Sequence, residues 1–211
     1  FLDNGKTERD VTTYTVKLLE ENGYVPFVPG TNYAPGAKVY LNNRGKSVIA
    51  ATMGQKPLSE GVHMNIAHTD APRLDLKPNP LYENNELALL KTHYYGGIRK
   101  YQWVAMPLAL HGVICKADGT RVNVCIGEEE GDPVFCITDL LPHLSADQNE
   151  RKLSEGVKGE ELNIVVGSLP FADKEVKDRV KLLAMKLLND KYGITERDFI
   201  SAELEAVPAF K

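Results

Sequence analysis

The triplet His68-Thr69-Asp70 is the strongest local candidate for chemistry in this sequence. It closes an apolar run over residues 62–67 and is followed by Ala71-Pro72. A neutral imidazole is a good zinc ligand, binding at about 2.0–2.1 Å. A carboxylate close by can hold the ring, or orient it through a hydrogen bond to its second nitrogen. The position suits that role, because open α/β sheets place ligands just beyond the carboxyl ends of their strands. A His-x-Asp triplet is also short enough to arise by chance, so the pattern alone leaves a metal ligand and an ordinary surface histidine both open.

The other chemically capable residues read as structural. His63 lies five residues before His68, and on a strand it faces the opposite side. His93 and His111 fall inside strand-like runs. His143, in Leu141-Pro142-His143-Leu144, sits at a turn and could project into a partner's cleft. Glu128-Glu129-Glu130 reads as a solvated turn, since three adjacent charges cannot all point at one ion. Cys115, Cys125 and Cys136 are odd in number and lack a metal-like spacing, which suits three reduced, mostly buried thiols in a cytosolic protein. The sequence contains no His-Glu-x-x-His, no phosphate-binding glycine loop and no Gly-x-Ser-x-Gly.

These residues need a scaffold, and the patterning predicts a mixed α/β one. Thr7 can cap a helix with Asp10 three residues on, and Val11, Tyr14, Leu18 and Leu19 share its apolar side before Gly23 stops it. Residues 47–52 and 62–67 read as strands. Pro78-Asn79-Pro80 is stiff and extended, and marks a domain junction. Strand-like runs follow at 87–95, 103–115, 121–126 and 162–166, with Asp118-Gly119 as a hairpin turn. The polar stretch 148–161 reads as a loop. Asp173 can cap a second helix with Val176, Val180, Leu183, Leu187 and Leu188 on its apolar side and Gly193 at its end. Residues 199–207 form a last strand.

Bulk properties exclude several classes. The chain has 211 residues, 43% of them hydrophobic and 26% charged, which is an ordinary globular composition. Its net charge of -4, without a concentrated basic face, argues against nucleic acid. No apolar stretch is long enough to span a bilayer, and the opening Phe1-Leu2-Asp3-Asn4 lacks a signal-peptide pattern. The opening also lacks Met, which suggests residues before it.

The run from Asn65 through Ala67-His68-Thr69-Asp70-Ala71-Pro72-Arg73 to Pro80 resembles the zinc aminopeptidases related to aspartyl aminopeptidase and vacuolar aminopeptidase I. Three further stretches agree and keep the family's order: Thr7-Glu8-Arg9, Tyr94-Tyr95-Gly96-Gly97 followed by Trp103 and Pro107-Leu108, and Phe199-Ile200-Ser201-Ala202-Glu203-Leu204-Glu205. The resemblance implies a zinc-peptidase-like catalytic α/β domain with two co-active metals. An inserted β-rich domain drives dimerisation, and dimers build a tetrahedral dodecamer. It implies residues 1–80 as the first part of the catalytic domain, 81–198 as the insertion and 199–211 as a strand returning to the catalytic domain. It assigns His68 as a metal ligand and Asp70 as the carboxylate supporting it. On Leu141-Pro142-His143-Leu144 alone, it assigns His143 as a residue offered to a neighbouring subunit's substrate site.

The departure from the family is as informative. Its bridging Asp, its Glu-Glu pair and its remaining acidic and histidine ligands have no counterpart in these 211 residues. One His and one Asp cannot hold two metal ions, and a hydrolase of this type also needs a carboxylate to shuttle the proton. The leading expectation is therefore an N-terminal portion of a cytoplasmic metalloaminopeptidase acting on peptides, inactive by itself. The alternative is a non-catalytic oligomerisation module, and the blandest is an α/β domain whose His-x-Asp is accidental. Zinc, cobalt and manganese all accept such mixed donors, so the sequence leaves the metal open.

Overall fold

The computed structural model describes residues 1–210 and divides into two compact units, Phe1–Ala71 and Pro72 onward. The sequence placed a junction at Pro78-Asn79-Pro80, inside what the structure builds as one strand.

In the first unit, helix α1 (Glu8–Glu21) starts on a reciprocal capping box. The Asp10 N–H donates to Thr7 Oγ1 and the Thr7 N–H donates to Asp10 Oδ2, each at 3.2 Å. Gly23 ends it with φ +81°, a left-handed conformation that glycine adopts without strain. Strands β1 (Val25–Pro26), β2 (Lys38–Asn43) and β3 (Ser47–Thr52) form a small sheet, parallel between β1 and β2 and antiparallel between β2 and β3. Tyr40 on β2 donates its hydroxyl to Glu20 of α1 at 2.6 Å. The run over residues 62–67, expected as a strand, carries no regular structure, and Val62, Met64 and Ile66 are exposed. A strand needs a neighbour to satisfy its backbone groups, and among the described residues this run has no strand partner.

The second unit is an antiparallel sheet of six strands in the order β7-β6-β9-β4-β5-β8. These are β4 (Arg73–Asn84), β5 (Leu87–Tyr95), β6 (Leu108–Cys115), β7 (Arg121–Ile126), β8 (Ile164–Gly167) and β9 (Ala202–Pro208). Pro78 and Pro80 fall within β4, where the pairing with β5 shifts register between Leu76 and Leu81. A proline has no N–H to give the ladder, so the strand bulges there. The last strand in sequence enters the middle of the sheet, between β6 and β4. At Gly112 on β6 an added Cβ would sit 2.0 Å from the Glu203 carbonyl, so only glycine permits that approach.

One face of this sheet is apolar, with Leu74, Leu90, Leu108, Leu110, Ile114, Leu204 and Ala206 in the core. A short helix α2 (Ala146–Asn149) overlaps only the start of the stretch 148–161 read from sequence as loop, and helix α3 (Arg179–Tyr192) packs on the sheet. α3 starts six residues beyond the expected cap. Asp173 instead accepts from the Glu175 N–H at 2.9 Å, a local turn that keeps the chain out of helix. No helix among the described residues is long and apolar enough to cross a membrane.

Candidate functional site

His68 and Asp70 are brought together in the first unit. His68 Nδ1 lies 3.2 Å from Asp70 Oδ1 and 2.8 Å from the Asp70 carbonyl oxygen. Two acceptors on one ring nitrogen fix the proton there, which leaves the Nε2 lone pair free in the neutral ring. The His68 side chain is 84% exposed, so Nε2 is open to an incoming ion. Between the two residues, Thr69 donates its hydroxyl to the Lys46 carbonyl at the β2–β3 turn, at 3.4 Å. This donor set fits one metal–imidazole bond with its orienting carboxylate. It does not complete a coordination sphere.

His143 belongs to the second unit, on a single 3₁₀ turn (Pro142–Leu144) that is closed by Ser145 Oγ donating to the Pro142 carbonyl at 3.0 Å. Leu140, Leu141 and Leu144 around it are all more than half exposed. His63 is exposed, and His93 stacks on Tyr94 with ring centroids 5.5 Å apart.

The sequence reading missed a polar row across the other face of the large sheet. The register aligns His93 with Asp75, Asp75 with Glu205, Glu205 with His111, and His111 with Cys125, over five strands. Arg73 Nε lies 2.8 Å from Asp75 and 3.3 Å from Glu205, and its guanidinium stands 4.3 Å from the Tyr95 ring centre. His111 Nε2 lies 3.0 Å from Glu128 Oε1 and 3.8 Å from Cys125 Sγ. Glu128 is therefore not part of a solvated acidic turn: its side chain is 16% exposed, while Glu129 and Glu130 remain outside. A signal existed in the period-two spacing of Arg73-Leu74-Asp75 and Glu203-Leu204-Glu205, which puts charges on one face and leucine on the other.

With this geometry established, comparison with known proteins places the chain among its relatives. The family described as aminopeptidase I zinc metalloprotease (M18) matches residues 1–211. A probable M18 family aminopeptidase 1 from Clostridium acetobutylicum is 54% identical over the whole chain, and the chain covers 46% of that relative. A crystal structure of an M18 aminopeptidase from Thermotoga maritima superposes with a TM-score of 0.92 at 45% identity, covering 100% of this chain and 46% of that one. A more distant structure, the mApe1 dodecamer of S. cerevisiae, shares the fold with a TM-score of 0.68 at 19% identity, over 100% of this chain and 47% of the other. The chain thus spans about half the length of the relatives it matches.

Proposed function

Starting from the fact that this chain belongs to the M18 family of aminopeptidase I zinc metalloproteases, we propose that it contributes one metal-binding residue, His68, to an enzyme that removes N-terminal residues from peptides. The observation that carries this reading is the His68–Asp70 pair, with Nδ1 held and Nε2 open. His68 would hold zinc through Nε2, with cobalt or manganese as substitutes. The bound metal would supply Lewis-acid assistance to the scissile carbonyl. Asp70 keeps the imidazole in the tautomer that can ligate, and it is a positioning residue. His143 meets the substrate bound by a neighbouring subunit.

The proposal includes self-association through the second unit, up to the dodecamer seen in the yeast relative. It also includes a cytoplasmic setting, consistent with three free cysteines, although Cys125 is exposed and Cys115 and Cys136 are half-buried where the sequence suggested mostly buried thiols. The inserted dimerisation domain over about 81–198 then lies within the unit that begins at Pro72. With one imidazole donor and its carboxylate, these residues alone are inactive, and activity requires the further ligands and general base that the family carries. A second reading, an assembly module without catalysis, draws on that same incompleteness.

The test is intact mass, metal content and hydrolysis of unblocked peptides by the native protein, beside His68→Ala. Loss of turnover and of bound zinc in His68→Ala supports the enzyme reading. Normal turnover by that variant overturns the assignment of His68. A native protein of this chain's mass, without bound metal or turnover, favours the assembly module.

A further inference from the structure

We propose that the second unit binds an uncharged, largely hydrocarbon small molecule in a cavity roofed by the middle of α3. The cavity, open on one side, holds about 490 Å³, inside the range of roughly 300–1,000 Å³ typical of small-molecule sites. Leu90, Leu110, Ile126 and Phe135 line it from the sheet side, and Ala184 and Leu188 line it from the helix. Leu90, Leu110, Ile126 and Phe135 are each no more than 7% exposed, so the floor of the cavity is buried while its rim reaches solvent.

The helix is staked at both ends, and between them Val180 and Ala184 rest on the sheet beside the cavity. At its start, Glu83 of β4 accepts from the Val180 and Lys181 N–H groups, each at 2.9 Å. At its end, Tyr192 donates its hydroxyl to the Cys125 carbonyl at 2.8 Å, and Lys191 Nζ reaches Asp132 at 3.2 Å. Just beyond, Lys116 Nζ donates to the Gly193 carbonyl at 2.6 Å. Collapse of the cavity would need the helix to sink toward the sheet and break these end contacts. An apolar floor held open in this way offers water few polar partners and gains by taking up hydrocarbon.

The rim decides the ligand's charge. Lys191 and Asp132 satisfy each other, and Asp190 is paired with Lys186 on the same helix. The Gly127 N–H and Lys191 hold the Asp132 carboxyl below the usual carboxylate range, and Asp132 holds the Lys191 ammonium above its ordinary value. Both ions thus stay charged across ordinary pH, and neither is left over to neutralise a charged ligand. A neutral chain or ring fits, and a carboxylate or ammonium would enter without a counterion.

The experiment is titration of the full chain with 1-octanol, octanoate and octylammonium, read by calorimetry and by the emission of a Leu187→Trp variant. Leu187 sits at the rim and is 60% exposed, so tryptophan there leaves the packing undisturbed. The expected result is saturable binding of 1-octanol at least about tenfold tighter than of either ion. Ala184→Phe, which fills the cavity, is expected to weaken octanol binding by at least about tenfold while the circular dichroism spectrum is retained. Equal binding of all three probes, or octanol binding untouched by Ala184→Phe, overturns the proposal. Octanol binding that emerges only when self-association is diluted away also overturns it, because a second copy then occupies the cavity. If Ala184→Phe fails to fold, the Leu187→Trp emission titration decides alone: no saturable octanol response overturns the proposal.

Discussion

Glu83 caps α3 from another part of the chain: its Oε2 accepts from the Val180 N–H at 2.9 Å across 97 residues of sequence. The same oxygen also takes the Lys181 N–H, so a strand carboxylate satisfies two of the orphan donors of the helix start. The residue at the local cap position, Asp178, has φ +51° and gives no side-chain bond. Glu83→Ala is expected to cost the second unit about 1–2 kcal/mol, the usual scale for a lost cap. Urea unfolding checks this, with Glu83→Gln recovering part of the loss. A midpoint unchanged in Glu83→Ala would show that the cap does not stabilise α3.

Asp70→Asn is expected to weaken zinc binding by about 10–100-fold without unfolding the protein, because it loosens the hold on His68 Nδ1. His68→Ala is expected to remove that binding. Both side chains lie toward solvent, 84% and 36% exposed, so stability should move by no more than about 0.5 kcal/mol. Competition against a chromophoric chelator measures the affinity. Equal affinity in wild type and Asp70→Asn would remove the positioning role.

Under the proposed function, His143→Ala in the assembled protein is expected to lower kcat while the number of metal ions per chain stays the same. The turn that carries His143 belongs to the second unit, apart in sequence from the His68 ligand. A changed metal stoichiometry in His143→Ala would contradict a role in substrate contact.

Asp132 and Lys191 give a pH signature with a definite sign. The folded pKa of Asp132 is lowered, first by the Gly127 N–H and then by Lys191. Its stabilisation is therefore present above the unfolded value of about 3.9 and lost as pH falls through the lower folded value. The folded pKa of Lys191 is raised, so its share is present below about 10.4 and lost as pH climbs through the higher folded value. The gap in urea midpoint between wild type and Asp132→Asn should be widest between those limits and close toward both. A gap that is constant with pH would show that the carboxylate charge contributes nothing.

Gly112→Ala tests the close passage of β9 beside β6. Gly112 has φ +140°, and an alanine Cβ would meet the Glu203 carbonyl oxygen at 2.0 Å. The expected loss is about 3 kcal/mol or more, enough to threaten folding of the second unit. Chemical denaturation of Gly112→Ala against wild type reads it directly, and a loss below about 1 kcal/mol would mean the two strands separate easily there.

The sequence by itself determined the features whose causes lie within a few residues. Thr7 and Asp10 announced α1, Asp118-Gly119 announced the β6–β7 hairpin, and Gly193 announced the end of α3, because caps and tight turns are local bonds. The linear run around His68 carried the family resemblance, and Asp70 could be paired with His68 because two residues of separation suffice for that contact. Tertiary structure decided the rest. The start of α3 depends on Glu83, almost a hundred residues away, and not on the nearby Asp173. Glu128 leaves its acidic neighbours to meet His111 because β6 and β7 hold that register. The final strand lies between β6 and β4, a place set by pairing with backbone groups and an apolar face about ninety residues or more away in sequence. The run over 62–67 shows the same rule in reverse: its composition favours a strand, but a ladder needs a partner, and composition does not supply one.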